Sequence, residues 1–180
     1  MRKQTKLVAV LSTAALLAIG ASMTSFAATG WAEEDGTWVY YNRDGERATD
    51  QWKKSGNNWY WLNSDGEMAI DQLIQDGDNY YYVDINGVMA ANQWVAIDNE
   101  DAGQDDEPDH YWYYFQANGK ALKNGDNARV ALKTVNGKKY AFDDEGRMLF
   151  GWVDADNAER IDNTDGDGFK EGDYYFGGED

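Results

Sequence analysis

Cysteine is absent from the 180-residue chain. That excludes a disulfide framework and a thiolate zinc centre. The single histidine, His110, excludes a multi-histidine metal site or a histidine pair. Positive charge is scarce: 16 lysines and arginines stand against 33 acidic residues, for a net charge of −17. Phosphate backbones and anionic bilayers attract basic faces, so neither nucleic acid nor a membrane surface is an expected partner. No Gly-x-Ser-x-Gly elbow and no glycine-rich phosphate loop with a lysine occurs. Carboxylates are plentiful, but they fall in turns and acidic stretches without the apolar surroundings that raise a catalytic pKa. The expectation is a non-enzymatic chain with no catalytic residue, no cofactor and no metal. A Leu-Pro-x-Thr-Gly sorting signal, a lipobox cysteine and a second apolar span are all missing.

Residues 1–27 read as a secretory signal peptide. Arg2, Lys3 and Lys6 form its charged start, and Leu7 to Ile19 is an apolar run too short to span a bilayer comfortably. Ser25-Phe26-Ala27 supplies the small residues for cleavage after Ala27. Cleavage removes three positive charges and no negative ones, taking the net charge from −17 to −20. A secreted chain held at the bacterial cell surface without a covalent anchor, and with no membrane segment left, is expected.

Aromatic residues are abundant, at 14% of the chain, and they recur in one phrase. Trp38-Val39-Tyr40-Tyr41-Asn42-Arg43-Asp44-Gly45 is followed by Trp59-Tyr60-Trp61-Leu62-Asn63-Ser64-Asp65-Gly66. Tyr80-Tyr81-Tyr82-Val83-Asp84-Ile85-Asn86-Gly87, Trp112-Tyr113-Tyr114-Phe115-Gln116-Ala117-Asn118-Gly119 and a worn copy ending at Gly146 come next. Gly45, Gly66 and Gly87 are 21 residues apart each time. A fixed short period means an array in which each unit buries its apolar face against its neighbours. Aromatic strands running into Asp-Gly or Asn-Gly predict hairpins with type I′ turns at those dipeptides, and a further polar turn lies near Gly36, Gly56 or Gly77. No helical periodicity follows the signal peptide. The fold class expected is all-β, a β-hairpin solenoid of repeats at 30–50, 51–71, 72–92, 93–124, 125–150 and 151–180. The fourth repeat carries an acidic insertion, Asp98 to His110, that holds the only proline and reads as a solvated loop. The sixth is incomplete and ends on what reads as an unpaired aromatic strand, either a cut repeat, the favoured reading, or a terminal cap.

Side chains alternate along a strand, so Trp59 and Trp61 share one face and Tyr60 and Leu62 the other. Rings lining clefts between hairpins can cage a cation, stack on a sugar, or merely staple small units together. Asn163 to Tyr174 brushes against a calcium-loop pattern, but the first ligand is Asn and the twelfth residue is Tyr174 in place of Glu, so a solvated turn is expected.

The phrases Gly30-Trp31…Trp38-Val39-Tyr40-Tyr41…Asp44-Gly45 and Gln51-Trp52…Trp59-Tyr60-Trp61…Asp65-Gly66-Glu67-Met68-Ala69 resemble the choline-binding, or cell-wall-binding, repeat family of bacterial surface proteins, autolysins and phage lysins. Related repeats form glucan-binding regions of glucansucrases and receptor-binding arrays of clostridial toxins. The resemblance covers the chain from Gly30 onward and is most specific through three units. It implies ligands bound between adjacent hairpins by the opening Trp and first strand aromatic of one repeat, the third strand aromatic of the next, and a Met. That assigns Trp52, Trp59, Tyr82 and Met68 to the best site, and Trp31, Trp38 and Trp61 to a second in which Arg47 replaces the Met. Leu73 degrades a third. In the fourth, Trp94 and Trp112 would meet Ala141, with the geometry upset by the insertion, so Trp94 is expected to matter little beside Trp59.

The partner implied is a cell-wall polymer, through teichoic acid choline or glycan; the alternative is a host or extracellular glycan or glucan bound by an adhesin-like or toxin-like array. The signal-peptide reading has a direct check: protein recovered from culture begins at Ala28 by N-terminal mass spectrometry, and retention of Met1 in a cytosolic pool overturns it.

Overall fold

The structure, a computed structural model, describes residues 29–103, 107–125, 129–161 and 170–178. The expected signal segment lies outside them, as do Asp105, Asp106 and most of the calcium-like stretch. Among the described residues there is no helix; twelve strands pair as six antiparallel hairpins. These are β1 (Gly30–Glu34) with β2 (Thr37–Tyr41), β3 (Gln51–Ser55) with β4 (Asn58–Leu62), and β5 (Gln72–Asp76) with β6 (Asn79–Val83). Then come β7 (Gln93–Asp98) with β8 (His110–Phe115), β9 (Lys133–Val135) with β10 (Lys138–Tyr140), and β11 (Trp152–Val153) with β12 (Tyr174–Tyr175). The architecture is all-β and follows the repeat, one hairpin to a unit.

The tight hairpin turns lie at the polar dipeptides between the paired strands. Asp35-Gly36 and Asn136-Gly137 both have positive φ throughout, the type I′ signature. At Gly56 and Gly77 only the first central residue is positive, which is type II′. The Asp-Gly dipeptides expected to form type I′ turns do something else. Gly66 N–H donates to the Asn63 carbonyl at 2.9 Å, and φ turns positive only at Gly66, not at Asp65. This is a type I turn closed by a left-handed glycine. The Asn63 side chain explains the choice: its Oδ1 accepts from the N–H groups of both Asp65 and Glu67, an Asx turn that holds the aspartate in the right-handed region. Asp84 and Asp143 repeat the device.

After that turn the return segment crosses to the preceding unit. Met68 N–H donates to the Trp38 carbonyl, Met89 to Trp59, Ala121 to Tyr80 and Met148 to Trp112, all at 2.7–2.9 Å. The last residue of each early unit, Asp50, Asp71 and Asn92, then takes a left-handed φ of 48, 47 and 54° and swings the chain into the next hairpin. Short polar side chains tolerate that conformation best among non-glycine residues.

The interior is a column. Leu62, Val83, Phe115, Phe142 and Val153 are fully buried, with Ala48, Ala69, Ala90 and Ala121 beside them. Burying each of the larger side chains contributes about 1.5–3 kcal/mol. Ala69 packs with Val83, and Ala90 and Ala121 with Phe115.

Two expectations about the later units change. The acidic insertion leaves its hairpin intact: β7 and β8 pair from Gln93↔Phe115 to Asp98↔His110, and the extra residues extend the tight turn. Part of that loop is fastened, since Asn99 holds Glu107 and the Pro108 carbonyl, the Tyr111 hydroxyl donates to Glu107, and Pro108 is buried. The final aromatic strand is paired, with Trp152↔Tyr175 and Val153↔Tyr174.

Gly87 tests the stacking. Its φ is 75°, and a Cβ there would lie 2.9 Å from Met68 Cε and 3.0 Å from the Ala69 carbonyl. Gly87→Ala is expected to lower stability by roughly 1–3 kcal/mol, read as an earlier midpoint in urea; an unchanged midpoint would refute the close approach of units two and three.

Candidate ligand clefts between hairpins

Each hairpin presents one face to the unit that follows. On that face the opening Trp stands directly across from the third strand aromatic: Trp31↔Tyr40, Trp52↔Trp61, Trp94↔Tyr114, with Leu73↔Tyr82 in the third unit. The first strand aromatic shares the face and stands across from Glu33, Lys54, Gln75 or Ala96. The next hairpin answers with its second strand aromatic. Trp31 meets Tyr60 with ring centroids 5.4 Å apart, Trp52 meets Tyr81 at 5.0 Å, and Trp94 meets Tyr140 at 4.8 Å. These contacts are edge-on or tilted, the arrangement aromatic quadrupoles favour.

Parity explains why the ring supplied by the next unit is Tyr60 or Tyr81, where the resemblance implied Trp61 or Tyr82. Residues 60 and 81 point back towards the preceding hairpin, and residues 61 and 82 point forward. Trp61 is buried within its own unit, 5.2 Å from Trp52. Tyr82 stacks on Phe115 at 6.1 Å, and its hydroxyl donates to Asp71. Direct ring contacts therefore do not join Trp52, Trp59 and Tyr82, nor Trp31, Trp38 and Trp61, among the described residues. Trp59 is 41% exposed and Trp52 half-buried, so this pair borders solvent. The Trp52 indole N–H donates to Asp76 Oδ2 at 3.2 Å.

Met68 spans three units. Its backbone is tied to Trp38, and its thioether lies where a Cβ on Gly87 would be. Met89 does the same between Trp59 and Gly119, and packs with Trp52 against the cluster of Trp61, Ile74 and Tyr81. Arg47 occupies the corresponding place in the first unit. Its stem packs against Gly66, while its guanidinium turns away to pair with Glu34 beside Tyr41. The Tyr41 hydroxyl and then Arg47 hold the Glu34 carboxyl below its ordinary range. The positive charge expected to spoil that site is thus drawn off by a carboxylate.

The fourth cleft differs most from expectation. Ala141 is buried, and Tyr140 with Phe142 closes on Trp94, the latter stacked at 5.9 Å. The resemblance places Ala141 itself in this cleft, and its neighbour Tyr140 carries the ring. Tyr140 shares the face of Phe142 as Tyr60 shares that of Leu62, so alternation read with the stacking direction finds this ring. His110 lies edge-on to Trp112 at 5.4 Å. The indole N–H of Trp31, that of Trp112 and Nε2 of His110 are buried with no hydrogen-bond partner among the described residues.

Among the described residues, cations sit on five rings of the array. Lys53 Nζ is 4.7 Å from the Tyr40 centroid, Lys54 Nζ 5.8 Å from Trp59, and Lys123 Nζ 5.8 Å from Tyr80. The guanidinium of Arg147 lies 5.0 Å from Tyr111 and that of Arg160 4.6 Å from Phe150. The last two line a polar cavity of about 740 Å³ shared by the insertion and units five and six. Among the described residues no group of three or more His, Cys, Asp or Glu side chains is placed to hold a metal ion.

A hairpin array whose successive faces close on shared aromatic clefts defines a repeat-type binding module. Residues 48–94 match the choline-binding repeat, and residues 111–121 match the cell wall binding repeat. The choline binding domain of Spr1274 of Streptococcus pneumoniae is 34% identical, over 53% of this chain and 95% of that one, with a TM-score of 0.39. CbpJ of Streptococcus pneumoniae TIGR4 is 25% identical over 83% of this chain, with a TM-score of 0.52. Choline binding protein F of the same species, solved with a peptidoglycan analogue, is 25% identical over 72% of this chain, with a TM-score of 0.48. This chain spans 40% of the length of CbpJ and 37% of that of choline binding protein F. No curated protein matches it. The chain belongs to the choline-binding repeat family.

Burial and the neighbouring Asp71 push the Tyr82 phenol up to about 12, and burial also raises Tyr80, Tyr81, Tyr111 and Tyr113. Free tyrosine ionises near 10, so the unfolded chain releases these protons first. Stability is then full below pH of about 10 and declines towards pH of about 12. Urea midpoints measured across that range are expected to fall, and Tyr82→Phe to remove part of the fall; a flat profile contradicts the burial.

Proposed function

We propose that this protein is a non-catalytic module that attaches to the bacterial cell wall by seating quaternary ammonium groups of a wall polymer, such as teichoic acid choline, in the aromatic clefts between hairpins. The clefts proposed are Trp31 and Trp38 with Tyr60, Trp52 and Trp59 with Tyr81, and Trp94 and Trp112 with Tyr140. Met89 flanks the second, and Met68, named from the resemblance for that cleft, is tied to Trp38 of the first. Trp61 and Tyr82, named from the resemblance, serve by holding Trp52 and the third unit in place. The proposed location is secreted and wall-associated.

The observation that carries this reading is that ring faces of the array, Trp59 of the second cleft among them, hold cations. Five lysine or arginine head groups lie within 6 Å of ring centroids, the range of cation–π attraction. Faces that hold an ammonium offer the same quadrupole to a trimethylammonium. The acidic surface, at −17, adds a long-range pull on cationic polymer groups that fades with salt. Two or three rings contributing about 0.5–2 kcal/mol each correspond to choline binding in the millimolar range. Family membership supports the same ligand class.

The test is a side-by-side pull-down on choline resin, purified choline-bearing wall and dextran. Retention on the first two, release by millimolar choline and weakening at high salt are expected. Salt-independent retention on dextran, with no response to choline, replaces this reading with a glucan-binding array.

A further inference from the structure

We propose that the array is graded by its own lysines: Lys54 and Lys123 occupy the ring faces of the second and third clefts, and leave external quaternary ammonium groups to the first and fourth. The inference rests on the cation reading of the clefts given above.

In the first, second and fourth clefts the grading sits at the residue across from the first strand aromatic; in the third it comes from Lys123 of the next unit. Trp38 faces Glu33 there, Trp59 faces Lys54, Tyr80 faces Gln75 and Trp112 faces Ala96. Lys54 places Nζ over Trp59, and Lys123 reaches from the fourth unit to place Nζ over Tyr80, both at 5.8 Å. Neither lysine has a carboxylate within ion-pair distance among the described residues, although acidic residues outnumber basic ones two to one. The ring is what each has for a counterpart. A trimethylammonium entering the second cleft must displace an ammonium that is tethered beside it and remains there as a like charge.

The first and fourth clefts lack this obstacle. No lysine or arginine among the described residues lies over Trp38 or Trp112. Lys53 does enter the first interface, but it is held over Tyr40 by a 2.7 Å hydrogen bond to Asn42, two residues along the strand from Trp38. Glu33, exposed across from Trp38, adds attraction for a cation. A second observation separates the same two clefts: the buried indole donors without an acceptor are those of Trp31 and Trp112, whereas Trp52 donates to Asp76. A hydroxyl or phosphate oxygen next to the ligand's ammonium would satisfy such a donor. The second cleft, favoured by sequence for its full set of aromatics, is on this account the self-occupied one.

Choline titration of the purified protein, followed by NMR at the eight indole N–H resonances assigned through single Trp→Phe variants, tests the assignment. In the native protein Trp31, Trp38, Trp94 and Trp112 are expected to respond with a stoichiometry of two, while Trp59 stays silent. Lys54→Gln is expected to bring Trp59 into the response, raise the stoichiometry to three and tighten that cleft by about five- to tenfold. Lys138→Gln, on the exposed end of β10, leaves the count at two. Thermal melts establish that each variant folds. A native Trp59 that responds at the same choline concentration as Trp38, or a Trp59 still silent in folded Lys54→Gln, overturns the lysine assignment alone. A protein in which no indole responds overturns the cation reading beneath it.

Discussion

A hairpin with five-residue strands cannot bury its own aromatic face. Everything else in this molecule follows from that deficit. The opening Trp of one unit finds the second strand aromatic of the next, as Trp31 does with Tyr60, Trp52 with Tyr81 and Trp94 with Tyr140. Backbone bonds such as Met68 to Trp38 fix the spacing. The axial column of Leu62, Val83, Phe115 and Phe142 excludes water from the centre. Stability is then shared between nearest neighbours, with no single core to lose. The clefts are by-products of the same arrangement, because rings placed to staple two hairpins leave part of their faces at the seam.

The seam has a definite electrostatic character. Ring faces are electron-rich, and the acidic residues around them raise the local potential for cations. A chain that is −17 overall places three lysines, Lys53, Lys54 and Lys123, on those faces. Lys54 and Lys123 are held there by rings without ion pairs, and Arg147 lies over Tyr111 while also pairing with Asp143 and Glu145. Resident cations rigidify the interfaces they cover, and they are displaced only by something that offers more than one ammonium can. Glu34 shows the converse: by drawing in Arg47, it keeps a guanidinium clear of the first cleft.

Much of the fold was legible in the residues. The 21-residue recurrence of the turn glycines set the units, and alternation within Trp59-Tyr60-Trp61-Leu62 set Trp59 and Trp61 on one face and Tyr60 and Leu62 on the other. The turn chemistry was half legible. Asp-Gly reads as type I′ when only the dipeptide is considered, yet the Asn63 side chain caps the two N–H groups that decide otherwise. The candidate site was less legible, for a reason of parity. Counting rings along a strand selects Tyr82, while the side of the sheet that meets the previous hairpin belongs to Tyr81. Parity cannot be read until the direction of stacking is known, and a single hairpin does not contain that direction.

The fourth unit shows how far sequence similarity between repeats can mislead about geometry. Its 11 additional residues and its poorly matching successor mark it as the damaged repeat. Yet the insertion enters at the tip of the hairpin, where β7 and β8 have already completed their register, and a lengthened turn costs little once both strands are anchored. The rings that matter lie at the other end, where Trp94 faces Tyr114 and packs under Tyr140 and Phe142. The weak repeat that follows keeps Tyr140 and Phe142 together on the face that meets Trp94, and yields only at Ala141, the buried position between them. Constraint in such an array falls on faces and ends of hairpins. Whole repeats are not its unit, so a unit that looks worn by alignment can still close a complete cleft.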